Sequence, residues 1–358
     1  MFKLSSPYKN VLYVGPGHKD HRGGIGAVLD IYSKNISPFN FVSTLSYRNK
    51  FYELFFFSGS VLRLSFLLLT NRKIRIVHIH GAKDGSIVRK SIMCFIARKL
   101  FSKKIVFHSH AGAFDEFYRK RGKLYKAMCR FIINNSEAVV VLSSRWNEFF
   151  RKTFRVKRII VIRNPVEHRQ PVIVKQNRDN KIVFLFLGKI VDHKGIFDLV
   201  KLVTDEQETL RGKCRFLVGG NHDVELLKQK IQEGGIGDLV EYIGWVKDEE
   251  KEKYFLQSDY FILPTYHEAM PMTILEALSY GKPVITTPVG SIPEVIEDNR
   301  NGKLFQPGDM QHLKKIILEL INDRSKYDCM RRQAMNTATQ FYPESIKTEL
   351  EKLYTEIA

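Results

Sequence analysis

The sequence predicts an α/β protein of two doubly wound, Rossmann-like domains that face each other across a cleft. Three observations carry that expectation. Apolar runs of strand length alternate with helical patterns along the whole 358-residue chain, which is the pattern of parallel sheets covered by helices. The runs fall into two series, separated by a polar, proline-punctuated stretch at 164–180. The length exceeds one typical core, so two domains are the natural division.

In the first domain, 1–166, strands are expected at 11–15, 41–45, 74–80, 104–108, 138–142 and 158–162. After the first strand comes Arg22-Gly23-Gly24-Ile25-Gly26-Ala27, opening a helical pattern at Val28, Leu29 and Tyr32. Glycines let a backbone approach a ligand closely, and a helix N-terminus offers unpaired N–H groups to an anion. From these residues alone, a plain flexible loop reads equally well. Gly15-Pro16-Gly17 imitates the start of a dinucleotide fingerprint, but position 20 is neither Gly nor Ala and no acid ends the second strand near Leu45. A nicotinamide site is therefore not expected.

Residues 51–70 are long and apolar enough to raise a transmembrane question. Glu53, Gly59 and Arg63 interrupt the run and strands follow on both sides, so an ordinary core helix is expected over 61–69. The part from 51 to 57 is harder to bury. Arg48, Lys50, Arg72, Lys73 and Arg75 flank the segment, which suits an interfacial helix on an anionic membrane. His110, in His108-Ser109-His110-Ala111-Gly112, falls at the carboxyl end of the fourth strand. A satisfied structural histidine is the default reading; its place at the cleft lip makes it a site candidate.

The second domain, 167–340, has strands expected at 181–187, 214–218, 240–243, 260–263 and 283–286. Its first strand runs into Gly188-Lys189-Ile190-Val191-Asp192-His193-Lys194-Gly195. Lys189 and Lys194 sit on the loop where fixed cations would neutralise a departing diphosphate. The fourth strand leads into His267-Glu268-Ala269-Met270-Pro271-Met272-Thr273-Ile274-Leu275-Glu276. Pro271 suits the first turn of a helix. Glu268 then lies on the loop at the strand's carboxyl end and Glu276 within the helix, where open α/β sheets bind ligands. A capping acid and a solvated helix residue would be the bland alternative. Against it, Glu276 lies among Ile274, Leu275, Ala277 and Leu278, where a carboxylate is costly without a partner. The tail, 341–358, is amphipathic and expected to form a helix that packs back on the first domain.

Residues 1–166 hold 31 Lys and Arg against 8 Asp and Glu, net +23, whereas 167–358 hold 26 against 30, net −4. One half carries the excess, so its partner is expected to be anionic. Cys94, Cys129, Cys214 and Cys329 form no C-x-x-C pair, which fits a reduced, cytoplasmic setting without a zinc site. No signal peptide is read at the N-terminus. With no D-x-D, no P-loop and no His/Cys cluster at ligand spacing, no essential metal is expected.

These pieces, in this order, resemble the retaining glycosyltransferases of family 4, which have the GT-B fold. The family's E-x7-E signature matches Glu268 and Glu276, its Gly-Gly-x-Gly loop matches Gly23–Gly26, and its basic pair matches Lys189 and Lys194. Arg163-Asn164-Pro165, Gly244-Trp245-Val246 and Val289-Gly290-Ser291-Ile292-Pro293-Glu294 agree as well. Three positions depart: Lys189 stands where Arg is usual, losing the bidentate fork but not the charge. Ala269 and Pro165 replace common glycines.

The resemblance implies an acceptor-binding first domain and a second domain that binds a nucleotide sugar, UDP- or GDP-linked, with no other cofactor. It implies Glu276 on the donor ribose, Glu268 on the donor sugar, and Lys189 and Lys194 on the diphosphate. Backbone amides of Gly23, Gly24 and Gly26 and those near Met272 and Thr273 would assist, and His110 would lie near the sugar's hydroxymethyl group. It further implies hexosyl or N-acetylhexosaminyl transfer with retention, without a metal, to a lipid-linked or oligosaccharide acceptor at the inner face of the cell membrane, as in surface polysaccharide synthesis. Alternatives are a GT-B epimerase or a phosphorylase, although no pyridoxal-phosphate lysine can be located. A nucleic-acid binder is a third, but the basic residues are spread over several elements and match no recognition module.

Overall fold

The computed structural model describes residues 7–19, 23–46, 50–112, 114–169 and 181–358; Arg22, Arg48 and residues 170–180 of the expected linker lie outside them. The chain divides into two compact units, residues 1–166 with 341–358 (unit 1) and 167–340 (unit 2).

Unit 1 carries β1 (Val11–Gly15), β2 (Asn40–Ser43), β3 (Ile76–Gly81), β4 (Lys104–Ser109), β5 (Ala138–Val141) and β6 (Ile159–Val161) in the order β2-β1-β3-β4-β5-β6. Unit 2 carries β7 (Ile182–Leu187), β8 (Cys214–Gly219), β9 (Val240–Gly244), β10 (Tyr260–Leu263), β11 (Val284–Thr286) and β12 (Gly302–Leu304) in the order β12-β11-β10-β7-β8-β9. Every neighbouring pair is parallel. Two doubly wound sheets of GT-B type result. β7 is apolar at every position and buried at every position because helices cover both faces of a parallel sheet, so its run does not alternate. The short edge strand β12 was not expected: Gly302-Lys303-Leu304 has no apolar run to announce it.

Strand order fixes where ligands can enter. It reverses between β1 and β3 in unit 1 and between β7 and β10 in unit 2, and open parallel sheets bind ligands outside the carboxyl ends of the strands at such switch points. The loops after β7 and β10 carry the Lys189–Lys194 and Glu268 positions.

Helix α1 (Gly24–Asn35) follows β1, and α2 (Lys50–Thr70) follows β2. α2 corrects the expectation of an ordinary core helix over 61–69. Ser60, Leu64 and Leu68 are buried, but Leu62, Phe66 and Leu69 on the opposite side are exposed, together with Phe51, Leu54 and Phe55. The helix is apolar all round, and only one stripe can face a sheet. It is also the one described helix long and apolar enough to cross a membrane. Helix α3 (Gly85–Phe95) lies beyond β3. The C-terminal helix Pro343–Ile357 packs on unit 1 through Ile346, Leu350, Leu353, Tyr354 and Ile357, and the Tyr8 hydroxyl donates to the Lys347 carbonyl at 3.1 Å.

Candidate functional site

In unit 2 the two loops at the switch point are tied together by their backbones. The His193 carbonyl accepts the Tyr266 N–H at 2.9 Å and the Thr265 hydroxyl at 3.1 Å. Gly195 has φ 70°, and a Cβ there would stand 1.9 Å from the Pro264 carbonyl oxygen, so only glycine lets the loops approach this closely. A third loop closes over them. Gly290 has φ 61°, a Cβ on it would lie 2.1 Å from the Glu268 carbonyl oxygen, and the Ser291 N–H donates to the Ala269 carbonyl at 2.9 Å. The Val289-Gly290-Ser291 motif thus clamps the backbone that carries Glu268.

This framework presents two lysine–glutamate pairs. Lys194 donates to Glu268 Oε1, and both side chains are largely buried. Lys251, on the helix Asp248–Gln257, donates to Glu276 Oε1 at 2.6 Å. Glu276 Oε2 is buried and has no hydrogen-bond partner. A buried carboxylate oxygen without a donor is costly, and a ligand hydroxyl would relieve that cost. Lys189 is exposed on the loop after β7. The helix Met272–Ser279 starts after Pro271, which is its N-cap rather than its first residue. The N–H groups of Met272 and Thr273 open this helix and have no acceptor within it, which suits a phosphate.

In unit 1, Gly23 is the N-cap of α1, and Gly24 and Gly26 lie in its first turn. Gly23 is exposed with nothing within 4 Å of a Cβ, so that helix end is open to a ligand. His110 follows β4, and its Nε2 lies 2.9 Å from His80 Nδ1. Burial pushes His110 down to about 3, opposed by a hydrogen bond with Asn164. It is therefore neutral near pH 7 and suited to hydrogen bonding with a hydroxyl rather than to donating a full proton.

The sequence reading missed two sets of residues. Lys251 sits in the charged run Asp248–Lys253, which reads as a solvated helix face; only the tertiary fold brings it to Glu276, 25 residues away. His78 and His80 on β3 and His108 on β4 form a buried layer. The i, i+2 spacing of His78 and His80 at strand period was legible and places both on one face of β3.

Comparison with known proteins agrees with this architecture. The family described as "Glycosyl transferases group 1" matches residues 169–337, and "Glycosyltransferase Family 4" matches residues 32–170. An uncharacterized 41.2 kDa protein in the cps region of Klebsiella pneumoniae is 27% identical over 70% of this chain and 70% of its own length. The O-antigen chain mannosyltransferase B of Escherichia coli is 27% identical over 51% of this chain and 48% of its own length. The crystal structure of Anabaena HepE in complex with UDP superposes with a TM-score of 0.73 at 19% identity, covering 97% of this chain and 100% of that one, and shares the fold.

The clamp over Glu268 yields a direct test. Gly290→Ala combines an unfavourable φ with a backbone clash, so urea denaturation should show a loss of about 2 kcal/mol or more. Alanine at the open Gly23 should cost less than about 1 kcal/mol.

Proposed function

This chain is a glycosyltransferase of family 4 with the GT-B fold, and from that premise we propose that it transfers a hexosyl or N-acetylhexosaminyl group, with retention, from a nucleoside-diphosphate sugar to a lipid-linked saccharide in surface polysaccharide synthesis. The observation that carries the donor assignment is Glu276: one oxygen is held by Lys251, and the other is buried and unpartnered at the switch point of unit 2. In this reading Oε2 accepts from the donor ribose. Lys194, with Lys189 on the same loop, turns to the diphosphate, and the amides of Met272 and Thr273 meet the terminal phosphate. Freed from Lys194, Glu268 holds the donor sugar. Family likeness adds His110 at the hydroxymethyl group and the amides of Gly23, Gly24 and Gly26.

In the proposed reaction the bond from the anomeric carbon to the phosphate oxygen breaks and the acceptor oxygen bonds to that carbon on the same face. The acceptor's proton passes to the departing phosphate oxygen. The lysines supply the charge that stabilises the leaving group, so the step runs without a metal at the diphosphate. With the acceptor's proton taken by the departing phosphate oxygen, this step uses Glu268 neither as nucleophile nor as acid, unlike a glycosidase-like double displacement. HepE in complex with UDP supports a nucleoside-diphosphate donor, and the O-antigen mannosyltransferase supports a polysaccharide context. An epimerase would give no new glycosidic bond to an acceptor, and a phosphorylase would form one from a sugar 1-phosphate but not from a sugar nucleotide.

The acceptor side is read from unit 1, which we propose docks peripherally on the anionic inner face of the cell membrane. Apart from Leu226 and Trp245, the large exposed hydrophobics among the described residues all belong to it. Phe51, Leu54, Phe55, Leu62, Phe66 and Leu69 recur at helical spacing along one stripe of α2, and Arg72, Lys73 and Arg75 follow it, exposed. Half-burying six such side chains is worth roughly 6 kcal/mol, against about 3 kcal/mol for three basic residues near an anionic surface. Insertion of the apolar stripe therefore outweighs charge attraction.

Two experiments test this reading. With purified protein, a panel of sugar nucleotides and a lipid-linked acceptor, Glu276→Gln should raise the donor KM about tenfold. Glu268→Ala should abolish transfer in a folded protein; near-normal turnover in that variant sinks the assignment. In flotation with anionic liposomes, the wild type should float even at high salt, and Phe55→Asp with Phe66→Asp should return it to the soluble fraction. A wild type that never floats refutes the docking.

A further inference from the structure

Beneath the carboxyl edge of the first sheet lies a layer of nitrogen ligands that the transferase reading does not use. His78 and His80 lie on one face of β3 at i, i+2, and His108 stands level with His80 on the neighbouring strand β4. All three are fully buried. One ring nitrogen from each can be chosen so that all three lie within 4.8 Å of one another, and no other such group of His, Cys, Asp or Glu occurs among the described residues.

The hydrogen bonds leave at least one nitrogen of each ring unused. His78 Nδ1 lies 2.5 Å from the Tyr354 hydroxyl, which donates to the Tyr13 hydroxyl at 3.0 Å. His80 Nδ1 lies 2.9 Å from His110 Nε2. The Nε2 atoms of both rings are buried without a partner, and His108, whose ring faces the Ile162 backbone, has no side-chain partner at either nitrogen. His78 and His80 show the division of metal-bound histidines, with one nitrogen open to the metal and the other fixed by an outer partner. Orphaned buried nitrogens call for a water, an ion or a structural reason.

We propose that His78, His80 and His108 form a structural site for a divalent transition metal such as zinc. Zinc–nitrogen bonds of about 2.0–2.1 Å place tetrahedral ligand atoms about 3.4 Å apart. The rings, now stacked with centroids 4.5 Å apart for His78 and His80 and 4.9 Å for His80 and His108, close that gap by splaying their planes. The set contains no carboxylate or thiolate, so it favours the imidazole-binding metals over calcium or magnesium. The ion would join β3 to β4 and, through Tyr354, to the C-terminal helix. With Nε2 of His80 on the metal, its Nδ1–H donates to His110, leaving the proton of His110 on its Nδ1. The site is distinct from the diphosphate groups of unit 2 and does not depend on the donor assignment.

The test uses the full chain, freed of metal by a chelator during unfolding and refolded with Co2+ or Zn2+. Wild type should take up one Co2+ per chain with the visible absorption of a tetrahedral site of three imidazoles and one water, and Zn2+ should raise Tm by about 5 °C. His78→Gln and His108→Gln should each lose both signals, whereas the exposed His312→Gln should keep them. Wild type with no stoichiometric metal and an unchanged Tm overturns the proposal, and this outcome needs no variant to fold. Equal uptake by His108→Gln and wild type also overturns it.

Discussion

Two glutamates at the carboxyl edge of a parallel sheet are each held by a lysine, and the loop packing around the site in unit 2 is built on those two pairs. A carboxylate removed from water without a partner is far too costly to retain. Lys194 and Lys251 supply the charges from two different elements. Holding Lys194 opposite Glu268 requires the loops after β7 and β10 to touch at backbone distance, which Gly195 and the His193 carbonyl make possible. Holding Glu268 still requires the Gly290 loop above it. The pairs satisfy the two carboxylates only in part, since Glu276 keeps one oxygen without a donor.

The two units meet different demands. Unit 2 is nearly balanced in charge and places its ionised groups in pairs at a switch point. Unit 1 is strongly basic, yet its sheet edge is lined by neutral imidazoles rather than ion pairs. Its apolar surface lies on the outside, along the stripe of α2 that faces away from the sheet, and Arg72, Lys73 and Arg75 follow that helix, exposed. Donor chemistry needs fixed, opposed charges, whereas an anionic surface needs exposed basic residues and apolar side chains that can leave water. In the proposed account, this physical contrast is also the division of labour.

Legibility in the sequence followed the physics of each signal. β7 was readable because six consecutive apolar residues have few other uses before a glycine-lysine loop. β12 was not, because a three-residue edge strand gains its identity from its neighbour β11. The cost of placing Glu276 among apolar residues was legible, but its relief by Lys251 was not, since the pairing depends on how one helix packs beside another. The face of α2 that would pack was equally hidden. Apolar residues surround that helix, and only the direction of the sheet decides that Leu64 is buried and Leu62 is exposed. The histidine layer was visible as spacing in β3 and β4, but its closure required the parallel register that aligns His80 with His108.

A crystal structure of the chain with an intact nucleoside-diphosphate sugar tests the central claim most directly. The account predicts the ribose hydroxyls within hydrogen-bond distance of Glu276 Oε2, with the Lys194 ammonium moved from Glu268 to the diphosphate. A nucleotide bound elsewhere, or bound with Glu276 Oε2 still unpartnered and the Lys194–Glu268 pair intact, would contradict it.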